Sequence, residues 1–239
     1  MEEIKKKKLN IELYEAAENG SLDQIKILLR QGADPNYYNY PEDQKNSLHI
    51  ACEKGFIDAA KLLIDGGAGV NTVSATYQAT PLIFAVQAGK PGLVKLLVSL
   101  HASLNAENGY GNTALHTACK LGYGDIIQTL IESGASVNIT NHKGSTPLHF
   151  LAHSKLTETQ YREILKLFNL TSTTIDATDT RGNTPFLTAC MAGNLALMTA
   201  LLGHGASKEV RNSNHETYED IAEFYHHSNI ITALAEHRK

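Results

Sequence analysis

Apolar residues recur along the chain in short helical blocks set at a nearly constant interval. A small-residue anchor stands at Ala16, Ala51, Ala85, Ala118, Leu151, Ala189 and Ala222, at spacings of 35, 34, 33, 33, 38 and 33 residues. Three residues before six of these anchors come Leu13, Leu48, Leu82, Leu115, Leu148 and Phe186. That separation puts the pair on one face of a helix. In the stretch from Thr113 to Asn138, Thr113 suits a helix N-cap, and Thr80-Pro81, Thr146-Pro147 and Thr184-Pro185 add proline at the first helical position in other units. Proline belongs there because its missing N–H would have no partner in any case. Leu115, Ala118 and Cys119 continue the first helix and Gly122 ends it; Ile126, Ile127, Leu130 and Ile131 pattern a second helix that stops at Gly134-Ala135. The turn-rich residues 137–144 then suit a tight hairpin-like connection. Each unit is predicted to be an antiparallel helix pair plus an extended turn.

Glycine marks the same frame. It follows the anchor by four residues at Gly20, Gly55, Gly89, Gly122 and Gly193. It closes the second helix at Gly32, Gly67, Gly134 and Gly205, and precedes the next unit at Gly111, Gly144 and Gly182. Twelve of the 18 glycines therefore fall at three positions.

Thr146-Pro147-Leu148-His149, Leu115-His116-Thr117-Ala118, Gly134-Ala135-Ser136-Val137-Asn138 and Asp179-Thr180-Arg181-Gly182-Asn183-Thr184-Pro185 together resemble the ankyrin repeat, a unit of about 33 residues with a T-P-L-H-x-A signature. The resemblance covers roughly residues 10 to 239. It implies an all-α solenoid of stacked helix-turn-helix units joined by short hairpin-like turns, each unit burying its apolar face against its neighbours. The predicted organisation is a basic, disordered leader over 1–9 and a single repeat domain over 10–239. Its units are 10–38, 39–73, 74–107, 108–140, 141–178, 179–211 and 212–239, the first and last being atypical caps. The fifth departs most. Its anchor is Leu151, Lys155 replaces the helix-ending glycine, Ser172-Thr173 replaces Gly-Ala, and five extra residues fall near 154–160, where Thr157 to Gln160 fits a capping box. Two readings stand for that insertion: a lengthened loop with local repacking, or a binding or regulatory element.

Composition narrows the function. The chain has 239 residues, 42% hydrophobic, with 21 Lys+Arg against 25 Asp+Glu and a formal net charge of −4. That balance removes the long-range field on which general nucleic-acid binding relies. No stretch approaches the eighteen or so continuous apolar residues of a membrane span, and no apolar stretch follows Lys5 to Lys8, so neither membrane insertion nor a signal peptide is expected. Lys5 to Lys8 reads as a solvated leader or as a nuclear-import or acidic-partner contact. Three widely separated cysteines favour a reducing compartment, and the expected localisation is cytoplasmic, with the nucleus or a host cytoplasm as alternatives.

Candidate chemistry mostly dissolves into the repeat. Cys52, Cys119 and Cys190 each follow an anchor alanine, facing the stack as small hydrophobes too far apart for a disulfide or a shared zinc. His49, His116 and His149 share the signature position, where the resemblance implies a hydrogen bond to backbone near the hairpin. No third group accompanies the Cys-His pairs, so no catalytic, metal or cofactor residues are expected.

The resemblance further implies that the concave face of turn tips and first-helix positions binds proteins. Tip positions carry Tyr38, Tyr40, Tyr77, Tyr110, Lys143 and Arg181; first-helix positions carry Glu53, Lys54, Gln87, Lys120, Leu121 and Met191. Tyrosine is unusual in turns and frequent at interface hot spots, so Tyr38, Tyr40, Tyr77 and Tyr110 are the expected anchors, unless the rings pack on neighbouring turns. Acidic residues mark the first half of the face and basic residues the second. The expected function is a monomeric, non-catalytic adaptor binding one or more proteins. The alternative is the targeting domain of a bacterial or parasite effector, within a longer protein whose enzymatic region lies elsewhere.

Overall fold

The computed structural model describes residues 2–39 and 44–235. Among them every regular element is a helix, and the helices pair as the sequence pattern predicts: Glu2–Glu18 with Leu22–Arg30, Ser47–Lys54 with Ile57–Asp65, Pro81–Gln87 with Pro91–Ser99, Ala114–Leu121 with Gly124–Glu132, Pro185–Met191 with Leu195–Gly203, and Tyr218–Phe224 with Ser228–Ala235. Internal contacts group the chain into two compact units, residues 1–114 and 115–239.

In the first unit the first helices of repeats one to three pack in order, and so do their second helices. Leu13, Leu48, Ala51, Leu63, Leu93 and Leu97 are fully buried between them. Each buried leucine contributes about 2 kcal/mol, and only against a neighbouring repeat. An asparagine accepts the amide that follows the second helix of each of repeats one to three, from within the first repeat and from the preceding repeat in the next two. Asn10 Oδ1 accepts from the Asp34 amide (2.7 Å), Asn36 Oδ1 from the Gly69 amide (2.8 Å), and Asn71 Oδ1 from the Ser103 amide (2.7 Å). Residues 2–9, predicted as a disordered leader, instead form the first turns of the opening helix, which they enter without a break.

In the second unit Leu115, Ala118, Leu151, Phe186, Ala189 and Leu201 supply the core. The seventh repeat has Glu219 where an apolar residue is expected. There Tyr218 takes over, buried against Phe186 with ring centroids 5.8 Å apart.

Eighteen described residues have positive φ, and all fall at the three repeat positions that glycine marks. The twelve glycines named above are joined by Gln44, Gln78, His101, Asn169, His215 and His226, each where its repeat lacks glycine. The register of the stack therefore imposes a left-handed residue whether or not the sequence supplies the one that adopts it most easily.

The fifth repeat is rebuilt. Its first helix is short (Pro147–Phe150) and ends in a 3-10 turn, Leu151–His153; the second runs Glu158–Leu167, with the Thr157–Gln160 capping box formed, and an extra turn follows at Ser172–Ile175. Asn169, not Ser172-Thr173, takes the left-handed place after the second helix, and Ser154, in extended conformation, ends the first. The insertion folds around Tyr161, which is fully buried. Its hydroxyl donates to the Ser154 carbonyl (2.8 Å) and accepts from Asn194 Nδ2 (2.7 Å). The same amide also donates to the carbonyls of Ala152 and Ser154, both at 3.1 Å. These bonds hold the insertion against the sixth repeat.

Candidate protein interface

The hairpins hold their tips by one device. At each of Asn108, Asn141, Asp179 and Asn212 the side-chain Oδ1 accepts two amides further along the turn. Such Asx turns mimic a backbone turn and add to the backbone bonds that close each hairpin. The residue two places on is thereby fixed at the tip: Tyr110, Lys143, Arg181 and Asn214. Tyr77 holds the same repeat position. Tip carbonyls also receive the next hairpin, Gly109 N–H donating to Tyr77 O (2.9 Å), Thr180 N–H to Lys143 O (3.0 Å) and Ser213 N–H to Arg181 O (2.9 Å). These bonds hold the hairpin backbones to one another, and the tip side chains are exposed. Tyr110 is 65% exposed and Tyr77 49%; Lys143 and Arg181 are exposed as well.

Other residues expected on this face are engaged within the chain. Tyr38 is half-buried, its hydroxyl donating to Val73 O (2.8 Å) and its ring 6.2 Å from that of His49. Packing on a neighbouring turn is thus its observed state. Glu53 receives Lys45 Nζ at 2.8 Å; that lysine, almost wholly buried, also lies 5.3 Å from the Phe84 ring centroid. Lys54 lies 3.8 Å from Glu18, a pair worth little in solvent. Gln87, Lys120 and Leu121 are exposed and Met191 is half-buried. Tyr40 lies outside the described residues.

In the second unit the structure brings Lys143, Arg181 and Met191 together with His153 around one open groove of about 570 Å³. Burial and, next, the charge of Lys120 hold the His153 pKa below its usual value. Beyond Met191 the surface carries Phe224, 75% exposed, and Tyr225, 46% exposed. Sequence reasoning passed over both. The signal was present in the register, since Phe224 follows Ala222 as Met191 follows Ala189.

The signature histidines are structural. The Nδ1 of His49 accepts from the Asn46 amide (3.2 Å) and that of His149 from the Thr146 amide (3.1 Å), which leaves the proton on Nε2. Each Nε2 then donates to a carbonyl of the following hairpin, Thr72 O and Asn183 O, at 3.0 Å. His116 Nε2 meets Ser145 O at the same distance. Burial dominates the ring pKa values, holding His49 and His116 at about 4. Where the third residue of the helix is Ile83, Thr80 Oγ1 has no ring to meet and is buried without a partner among the described residues. The thiols of Cys52, Cys119 and Cys190 are buried, and burial pushes all three up, Cys190 to about 12 with help from Glu219. A thiol so protonated is a poor nucleophile. Among the described residues no three metal-ligating side chains cluster, and no helix is long and apolar enough to cross a membrane.

Helix pairs, left-handed closures and bridging histidines define a repeat scaffold whose exposed tip residues differ from repeat to repeat. The model for three-copy ankyrin repeats matches residues 13–108 and 82–168, and that for a single ankyrin repeat matches residues 181–213. The chain belongs to the ankyrin-repeat family. It is 32% identical to human palmitoyltransferase ZDHHC13 over 214 residues, 89% of this chain and 33% of that protein. It is 33% identical to human Ankyrin repeat and SOCS box protein 16 over 107 residues, 45% of this chain and 23% of that protein. A putative ankyrin repeat protein, L86, of Acanthamoeba polyphaga mimivirus is 30% identical over 117 residues, 41% of this chain and 20% of that protein. The chain thus spans no more than about a third of the curated relatives it matches.

Proposed function

We propose that this chain is an adaptor that recognises partner proteins through its hairpin tips and the exposed positions of its first helices. The observation that carries the reading is the shared register of Tyr77, Tyr110, Lys143 and Arg181: one pinned backbone presents chemically different, exposed side chains. Tyr77 and Tyr110 serve as aromatic anchors on the first unit, with Gln87 beside them. Lys120, Leu121, Lys143, Arg181 and Met191 form the contact surface of the second. Tyr38, Glu53 and Lys54 support the first unit's surface through their own partners, and the protein acts as a monomer in the cytoplasm. Two paired variants test this in affinity purification: Tyr77→Ala with Tyr110→Ala, and Lys143→Glu with Arg181→Glu. Each should keep helical circular dichroism and lose captured partners. Partners retained by both would refute the site.

A second reading has specific support. The match to ZDHHC13, named a palmitoyltransferase, covers 89% of this chain but 33% of that protein. The chain would then be the targeting segment of a longer protein, an enzyme or an effector acting on host proteins, with the repeats choosing the substrate. The full open reading frame decides between an independent adaptor and such a segment.

A further inference from the structure

Within residues 115–239 the groove beside Met191 combines unpaired positive charge with an apolar margin. Lys143 and Arg181 rise from successive hairpins joined by the Thr180 N–H to Lys143 O bond, so the two cationic side chains start from adjacent turns. Among the described residues neither has a carboxylate within ion-pair distance. Asp179, the carboxylate in the groove wall, is committed to its own turn: Oδ1 accepts the amides of Arg181 (2.8 Å) and Asn183 (2.9 Å), and Oδ2 accepts Asn183 Nδ2 (3.3 Å). His153 also lines the groove, and the charge of Lys120 acts on it.

From Met191, at the edge of the groove, a chain of contacts leads to exposed rings. His227 Nε2 meets Met191 O at 3.3 Å, Tyr225 stacks on the His227 ring at 6.2 Å, and Phe224 packs edge-on to Tyr225 at 5.1 Å. An exposed pair of large rings next to half-buried Met191 is a surface that gains from being covered. A polyanion such as nucleic acid would meet a few cations and then these rings, with a chain of net charge −4 behind them. A peptide can satisfy both halves.

We propose that this groove binds an extended peptide segment in which Asp or Glu side chains flank a large apolar one, the carboxylates meeting Lys143 and Arg181 and the apolar side chain covering Met191, Tyr225 and Phe224. The proposal rests on the adaptor reading and adds the chemistry of the partner. Its volume, about 570 Å³, accommodates a few side chains and not a folded domain. Charge complementarity supplies selectivity and a salt-dependent association rate.

The test is selection of random linear peptides displayed on phage against the whole chain, followed by fluorescence anisotropy of the selected, labelled peptides. Acidic residues beside aromatic or long aliphatic ones should be enriched. Their affinity should fall about tenfold or more between low and physiological-to-high salt. Lys143→Gln with Arg181→Gln should weaken them about tenfold and Phe224→Ala with Tyr225→Ala by a similar factor, while Lys166→Gln, on a second helix and outside the groove lining, leaves them unchanged. Melting curves confirm that each variant is folded. Basic or uncharged selected peptides, salt-independent binding, or no enrichment overturns the proposal. Peptides that depend on Tyr77 and Tyr110 alone also overturn it, yet leave the adaptor reading standing; loss of protein partners from every tip variant, with no peptide selected, separates the two in the other direction.

Discussion

Replacing Gly182 by alanine should destabilise the second unit far more than the same change at Gly134, although both glycines have positive φ (+74° and +98°). At Gly134 a Cβ would meet nothing within 4 Å, so the cost is that of holding an L-residue in the left-handed region, about 1–2 kcal/mol. At Gly182 the Cβ would lie 2.7 Å from both the Ser213 amide nitrogen and Ser213 Oγ. That nitrogen donates to Arg181 O at 2.9 Å, so relieving the clash also strains a hairpin-to-hairpin bond worth about 1 kcal/mol. Roughly 3–4 kcal/mol is the expected total. The chain contains its own control. Gln78 occupies the equivalent place at φ 49°, and there the next hairpin presents Gly109, whose own Cβ would sit 4.0 Å from Gln78 Cβ. Gly182→Ala combined with Ser213→Gly should therefore recover only the part of the clash due to Ser213 Oγ, keeping the backbone contact and the left-handed cost. Urea unfolding followed by far-ultraviolet circular dichroism measures all three variants. Equal losses at Gly134 and Gly182, or no recovery in the double variant, would show that hairpin stacking does not limit this position.

Lowering the pH should destabilise the fold through its bridging histidines. His49 and His116 have folded pKa values near 4 against an ordinary 6.5, so the unfolded chain binds the extra protons and stability is lost as pH falls from about 6.5 to 4, by an order of 3 kcal/mol per ring. The urea midpoint should drop across that window and His49→Gln should flatten the slope; a midpoint that holds steady would contradict the burial argument. The three thiols should resist a disulfide reagent in the native protein and all react once it is unfolded in urea; rapid native labelling of any one would mean its repeat interface opens. Asn194→Ala removes three Nδ2 hydrogen bonds that hold the fifth-repeat insertion, and also the cap on the Leu197 amide, so a loss of about 2–4 kcal/mol is expected. Tyr161→Phe should cost about 1–2 kcal/mol, and a neutral Asn194→Ala in the same denaturation assay would mean the insertion is not held by this node.

What the sequence made legible follows from what the stack repeats. Helix pairs, buried cysteines, bridging histidines and tip positions all depend on register, and one glycine frame sets register for the whole chain. The same frame located left-handed residues that no residue type announces. Gln44, Gln78, His101, Asn169, His215 and His226 adopt positive φ because the helix ends and hairpins there are shared with glycine-bearing repeats. Misplacement occurred where the interval lengthens to 38 residues: alignment by counting assigned Ser172-Thr173 to the place that Asn169 holds. Tyr161 was out of reach for a different reason. In an amphipathic helix it reads as one more apolar residue, and its polar partners come from Ser154 and from Asn194, 33 residues away. The candidate site divides along the same line. Register says which side chains stand at the tips, but whether a side chain is available depends on neighbours in the next repeat. Thus Tyr110 is free to meet a partner, while Tyr38, drawn from the same pattern, spends its hydroxyl on Val73. Phe224 and Tyr225 show the converse error, in which reading the last repeat only as a cap hides two rings that its register places at contact positions. A repeat's exposed chemistry therefore has to be read in every unit, including one whose signature residues are degenerate, because the register that places Met191 places Phe224 as well.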